Sequence, residues 1–298
     1  MRRADSSCLF IASKSFRTSS TVADDICERV SPRRRRLRCV ANGAGDVSVD
    51  VGDDYVATVE IHRPPNNFID VSLASSLADA YEQLDEDRAC REIVLCSEGK
   101  HFCAGAELGA DASDPSAELQ AASVYRHAVR MFACGIPVVA AVQGAAVGGG
   151  LGLAMSADFR VMTPETRLWA NFARLGFHHG FGTTVTLPAV IGGQRALELL
   201  LTGRRLGGDD AASLGLCDRL APAEEVRPTA HALAAEIAAS APLAVRSIRQ
   251  TLRGDLAERI RAATEHEAAE QGRLMQTDDF REGVRAASER RTPRFTGR

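Results

Sequence analysis

Two stretches of small residues could together hold a developing negative charge. One is Phe102-Cys103-Ala104-Gly105-Ala106-Glu107-Leu108, and the other is Gly144-Ala145-Ala146-Val147-Gly148-Gly149-Gly150. Each follows an apolar run that reads as a buried strand, Ile93-Val94-Leu95-Cys96 before the first and Pro137-Val138-Val139-Ala140-Ala141-Val142 before the second. A strand that ends in a turn of small residues leaves backbone N–H groups uncovered, and a ligand can approach them closely. If two such turns face each other, their N–H groups can share one negative oxygen, which is an oxyanion hole. Either turn alone reads equally well as a plain strand-to-helix connection; the pair points to chemistry. Cys103 lies in the first turn, but no basic partner is adjacent in sequence to make it a nucleophile.

These turns need elements to position them. Tyr55–His62 alternates and reads as a strand, and 70–84 has helical spacing at Leu73, Leu77, Ala80 and Tyr81. A strand at 93–96 leads into the first turn, 109–116 reads as a polar loop and 117–133 as a helix. The strand at 137–142 leads through the second turn into a helix ending near Met155. Short strands are expected near 159–162 and 167–171. Helical segments follow near 183–190, 193–202, 208–214, 223–240, 242–253, 256–274 and 277–289. Strands and helices therefore alternate first, and a helical tail follows. Met131–Ala157 carries no charge, but Pro137 and its glycines break it as a membrane span.

Composition narrows the class. The chain has 298 residues, 45% hydrophobic and 25% charged, with a net charge of -3. Residues 1–44 carry ten Lys/Arg against four Asp/Glu, so the remainder is acidic and does not favour nucleic acid. The Arg- and Ser-rich composition of 1–44, with Arg33-Arg34-Arg35-Arg36, suits a transit peptide removed near Ala41, and the alternative is a disordered basic leader. The expected location is an organelle, chloroplast in preference to mitochondrion, with cytoplasm as the alternative. Eight cysteines without C-x-x-C or metal-ligand spacing indicate free thiols in a reducing compartment and no bound metal.

From about residue 46 to the C-terminus the chain resembles the crotonase, or enoyl-CoA hydratase/isomerase, family. The resemblance rests on His62-Arg63-Pro64-Pro65-Asn66-Asn67, the two turns, Ala196-Leu197-Glu198-Leu199-Leu200-Leu201-Thr202-Gly203, Ala211-Ala212-Ser213-Leu214-Gly215-Leu216, and the tail motifs Asp278–Val284 and Arg290–Phe295. It implies an α/β fold, a spiral of ββα units over 45–205, with a helical C-terminal oligomerisation region over 206–298 that packs in trimers or hexamers. It implies an acyl-CoA thioester as ligand, with coenzyme A part of the substrate and no separate cofactor. By position, the N–H groups of Ala106 and Gly149 would hold the thioester oxygen, and Ala104 and Ala106 would lie along the CoA path.

The sequence departs from the family's hydratases at both acid/base positions. Their two catalytic glutamates are replaced by Gly152 and Phe172, and the dehalogenase aspartate aligns with Gly180. Other polar groups near the expected pocket are Arg174, His178 and His179. Either imidazole could move a proton or simply bond its loop, whereas Arg174 can steady an anion but is a poor base. Tyr125 stands where the dehalogenase branch places a histidine, and its alternative role is core. Glu107 is expected to hydrogen-bond its loop, and Trp169 to pack in a strand. Arg246, Arg249 and Arg253 form one basic helix face, expected to be solvated or to meet CoA phosphates. The leading expectation is an enzyme that stabilises an acyl-CoA enolate with non-standard acid/base groups. Thioester hydrolysis or decarboxylation is a second reading, and a silent acyl-CoA- or RNA-binding homologue a third.

Overall fold

The computed structural model describes residues 35–37, 45–107 and 116–298. Most of the expected leader, with Cys8, Cys27 and Cys39, and nearly all of the 109–116 loop lie outside the described residues. Among the described residues the strands are β1 (Arg35–Leu37), β2 (Val47–Val51), β3 (Val56–Ile61), β4 (Glu92–Ser97), β5 (Val138–Val142), β6 (Ala145–Val147), β7 (Phe159–Met162), β8 (Arg167–Trp169), β9 (Arg205–Leu206) and β10 (Arg219–Leu220). The helices are α1 (Val71–Glu86), α2 (Ser116–Ala133), α3 (Gly149–Ser156), α4 (Phe172–Leu175), α5 (Thr183–Ile191), α6 (Gly193–Thr202), α7 (Gly208–Leu214), α8 (Val226–Ala238), α9 (Pro242–Arg253), α10 (Leu256–Met275) and α11 (Asp278–Ser288).

The main sheet has the order β1-β2-β3-β4-β5-β7-β10. Its first two pairings are antiparallel, and from β3 onward the strands run parallel. β4 and β5 are buried at every position because helices cover both faces, which explains their unbroken apolar runs. α1 and α2 pack on one face through Leu73, Leu77, Tyr81 and Met131. α8 covers the other through Val226, Ala230 and Leu233, against Val94, Val139 and Val161. Asp70 caps α1 by accepting from the Leu73 N–H at 2.8 Å. A smaller sheet, β6-β8-β9, begins where the second small-residue turn leaves the main one. Part of the segment read as a leader joins the main sheet, since β1 pairs with β2.

The basic face of α9 is the docking face rather than a solvated one. Arg246 pairs with Asp85 at 2.9 Å, Arg249 reaches Asp158 at 3.0 Å and the Cys134 carbonyl at 2.6 Å, and Arg253 also grips Asp158. Asp158 in turn accepts from the Val138 N–H at the foot of β5. The helix therefore faces inward with its charges and outward with Leu243, Ile248 and Leu252.

Glu92, the first residue of β4, is fully buried, and neither carboxyl oxygen is hydrogen-bonded to a described residue. Burial first, and the Asp158 carboxylate second, push its pKa up to about 9. A folded pKa above the unfolded one gives stability that is full below the unfolded pKa, near 4.5, and is lost as pH rises toward 9. Glu92→Gln keeps the shape without the charge. Its melting temperature should exceed the wild type's by several degrees at pH 8.5, at roughly 2–4 °C per kcal/mol. That advantage should shrink at pH 5. An advantage of the same size at both pH values would contradict a neutral Glu92 in the fold.

Candidate active site

The first turn is clamped on both sides by backbone. The Cys103 N–H donates to the Ala145 carbonyl at 3.0 Å, and the Val147 N–H donates to the Cys103 carbonyl at 3.1 Å. On the other side, the Ala104 N–H donates to Asn66 at 2.9 Å and the Ile69 N–H to Gly105 at 2.9 Å. Buried Asn67 anchors that neighbouring loop through the Glu98 and His101 carbonyls. Glycine is needed here for two reasons. Gly105 has φ +91°, and a Cβ on Gly150 would stand 2.0 Å from the Cys103 carbonyl oxygen. The two turns therefore touch, as the sequence pairing requires.

Between them opens a cavity of about 540 Å³. Ala104, Ala106, Gly148 and Gly149 line it, with Ile69, Val124, Phe172, Phe177, Phe181 and Met275 as apolar wall. Gly149 is the first residue of α3, so its N–H has no partner within the helix. Neither the Ala106 nor the Gly149 N–H donates to a described residue. Two free donors and a helix N-terminus thus meet at one apolar cavity, where a negative oxygen is favoured.

Acid/base groups are scarce in this cavity. Gly152 and Phe172 hold the two positions where the resemblance implies carboxylates, and Phe172 is itself part of the wall. No side chain fits at 152, because a Cβ there would lie 2.4 Å from the Phe181 Cβ. Tyr125 does line the cavity, but its hydroxyl is committed. Gln271 Nε2 donates to the His178 carbonyl at 2.8 Å, so Gln271 Oε1 must accept from the Tyr125 O–H, at 2.8 Å. Burial, and then the nearby Glu267 carboxylate, push the Tyr125 phenol well above its usual range. The hydroxyl also fills the space a side chain at Gly180 would need, since a Cβ there would lie 1.8 Å from it. Arg63, Asp70 and Glu107 are the charged residues of the lining, and Gln120 and Asn171 add neutral polar groups. Arg63 is tied up with Asp46 at 2.6 Å and Asp70 at 2.8 Å.

His178, His179 and Arg174 are not among the residues lining this cavity. The two imidazoles stack at 4.1 Å and fasten their own loop. His178 Nδ1 donates to the His179 carbonyl at 2.8 Å, and His179 Nε2 meets the Thr184 hydroxyl at 2.9 Å. Burial, followed by the charges of His178 and His266, lowers the His179 pKa to about 4, so it is neutral at physiological pH. Arg174 donates to the Thr202 carbonyl at 2.8 Å. Cys103 is fully buried, and burial pushes its thiol up to about 12, which removes it as a nucleophile. Trp169 is half-buried; its Nε1 donates to the Gly203 carbonyl, and Arg205 lies over its ring. Gln271 and Met275 reach the cavity from α10, more than a hundred residues beyond the second turn, and no local pattern singles them out. Phe181 gives no sequence signal either, because an aromatic residue in a Gly-flanked loop carries no chemistry of its own.

A family model described as enoyl-CoA hydratase/isomerase matches residues 52–298. A Bacillus subtilis protein described as "Probable enoyl-CoA hydratase" is 32% identical over 249 residues, covering 82% of this chain and 96% of its own length. The carnitinyl-CoA dehydratase of Proteus mirabilis is 29% identical over 259 residues, covering 82% of this chain and 95% of its own. Among solved structures, an enoyl-CoA hydratase/isomerase from Pseudoalteromonas atlantica superimposes with a TM-score of 0.75 at 28% identity, over 85% of this chain and all of that one.

Proposed function

The chain belongs to the enoyl-CoA hydratase/isomerase family, and on that premise we propose that it binds an acyl-CoA thioester and stabilises its enolate between the Ala106 and Gly149 N–H groups. The observation that carries this reading is the pair of free donors at one apolar cavity. A thioester that loses an α-substituent, or gains a nucleophile at its β-carbon, becomes an enolate whose oxygen needs preorganised donors. The missing carboxylates at 152 and 172 argue against water activation as the natural reaction. They favour a second reading in which the bond to a carboxylate breaks. A thioester with a carboxylate on its α-carbon yields the same enolate by losing CO2, with no base needed, and an aromatic wall disfavours that carboxylate in the ground state. A mass-spectrometric screen of the purified protein against a panel of acyl-CoA thioesters, malonyl-type thioesters included, tests both readings. Binding with no turnover of any thioester would leave a silent acyl-CoA-binding homologue. No binding at all would remove the proposal.

The proposed assembly is a homotrimer or hexamer. Its support is the outward apolar face of α9, where Leu243 and Leu252 are 82% and 77% exposed. Ile248→Asp combined with Leu252→Asp should reduce the mass seen by light scattering toward that of one chain, because the arginines that dock the helix are untouched. An unchanged mass would place the contact elsewhere.

A further inference from the structure

The loop that carries Phe181 is held from outside the cavity by one carboxylate. Glu267, fully buried on α10, accepts from the Gly182 N–H at 2.8 Å, the Thr184 N–H at 3.1 Å and the Thr184 hydroxyl at 2.6 Å. These donors stand at the start of α5, whose N-terminus has no side-chain cap of its own. A carboxylate on such donors makes charge-assisted bonds that the helix dipole reinforces. Because the Thr184 hydroxyl donates to Glu267, its oxygen is left to accept from His179 Nε2, which ties the far side of the loop. Within this lock Phe181 is held at φ +60°, a conformation that a bulky residue keeps only when its surroundings impose it.

The lock presents the Phe181 ring to the proposed oxyanion position. The ring lies 3.9 Å from where a Cβ of Gly149 would be, and its edge meets the Tyr125 ring with centroids 6.2 Å apart. An aromatic side chain on a free loop could move aside with it for a large ligand; here the buried carboxylate holds the two backbone N–H groups and the hydroxyl that follow Phe181, so the loop cannot carry the ring away. The geometry points to Phe181 as the residue that sets acyl specificity, and to Glu267 as the positioning residue that holds it there. The slot beside the Gly149 N–H then takes compact, flexible acyl groups and rejects aryl ones. This inference rests on the acyl-CoA reading above.

Calorimetric affinities for acetyl-CoA and benzoyl-CoA test it on the full chain. Wild type should bind acetyl-CoA at least ~10-fold tighter, within the roughly 10–200-fold range over which apolar pockets discriminate by size. Phe181→Ala should move that ratio about tenfold or more toward benzoyl-CoA. Phe181→Gly, which also relieves the positive φ, should do the same and covers a failure of the alanine variant to fold. Glu267→Gln conserves volume but offers one acceptor oxygen to three donors; it should move the ratio a few-fold in the same direction. In Glu267→Gln/Phe181→Ala the ratio should equal that of Phe181→Ala alone, because without the ring Glu267 has nothing to position. General loosening would weaken both ligands alike and leave the ratio unmoved. Binding of both ligands with ratios that do not move, or with additive shifts, overturns the inference and spares the acyl-CoA reading. Failure of wild type to bind either thioester overturns both.

Discussion

Gly149→Pro is expected to extinguish enolate stabilisation, while Gly149→Ala preserves it. Both add a Cβ, and the site accepts one: its nearest neighbours would be Ile69 Cγ2 at 3.4 Å and Phe181 Cδ2 at 3.9 Å, ordinary contact distances. Only proline removes the N–H. Gly149 opens α3, the one helical position where proline is well tolerated because that N–H has no intrahelical partner. The contrast between the two variants therefore isolates a single donor. Acetoacetyl-CoA, which enolises readily, gives a readout that does not depend on the natural substrate. Bound to wild type or Gly149→Ala it should show enolate absorbance at neutral pH, and bound to Gly149→Pro it should not. On whichever thioester the screen finds to turn over, loss of the donor should lower kcat about 10²–10³-fold. Circular dichroism of the proline variant should match wild type. An undiminished enolate band in Gly149→Pro would take Gly149 out of the oxyanion hole.

Hydration of crotonyl-CoA, followed by loss of the enoyl thioester absorbance, should be at least ~10⁴-fold below the ordinary enzyme range of about 10–10³ s⁻¹. Each acid/base group typically supplies roughly 10²–10⁴-fold, and both carboxylate positions are vacant of titratable side chains. Returning one carboxylate should not help. In Gly152→Glu the first side-chain carbon would meet the Phe181 Cβ at 2.4 Å, so the variant should lose stability before it gains activity. A kcat within the ordinary range would mean that other residues have taken over water activation. Glu107 and Asp70, the carboxylates on the cavity lining, would be the first to substitute.

The two small-residue turns were legible in the sequence because their cause is local: each is an apolar run ending in glycine and alanine, and it is their pairing, through the Cys103 and Val147 backbone bonds, that adds meaning to either one. The same holds for α1 and α11, where apolar spacing coincides with the caps Asp70 and Thr277. β6, β9 and β10 were not legible because they have two or three residues each and are held by their partners rather than by propensity. The roles of His178 and His179 were not legible either. Residue type suggested proton transfer, but the direction of an imidazole depends on what receives its N–H, and here the receivers are a loop carbonyl and a threonine that Glu267 fixes. The face of α9 misled for a similar reason. Amphipathic spacing identifies two faces without saying which is inward, and Asp85 and Asp158, distant in sequence, decide it.

The contribution of α10 bears on the order in which the protein becomes competent during synthesis. Chains emerge from the ribosome N-terminus first, and folding begins before the end is made. A nascent chain of about 255 residues already contains both small-residue turns, the parallel strands and Phe181. It lacks Glu267, Gln271 and Met275, so the loop beneath Phe181 has no anchor and the cavity no far wall. Every part that looks like a site is then present, yet the site is unformed. On the acyl-CoA reading proposed above, ligand recognition would arrive late and at once, when α10 leaves the exit tunnel and closes over a cavity whose other parts were made before it.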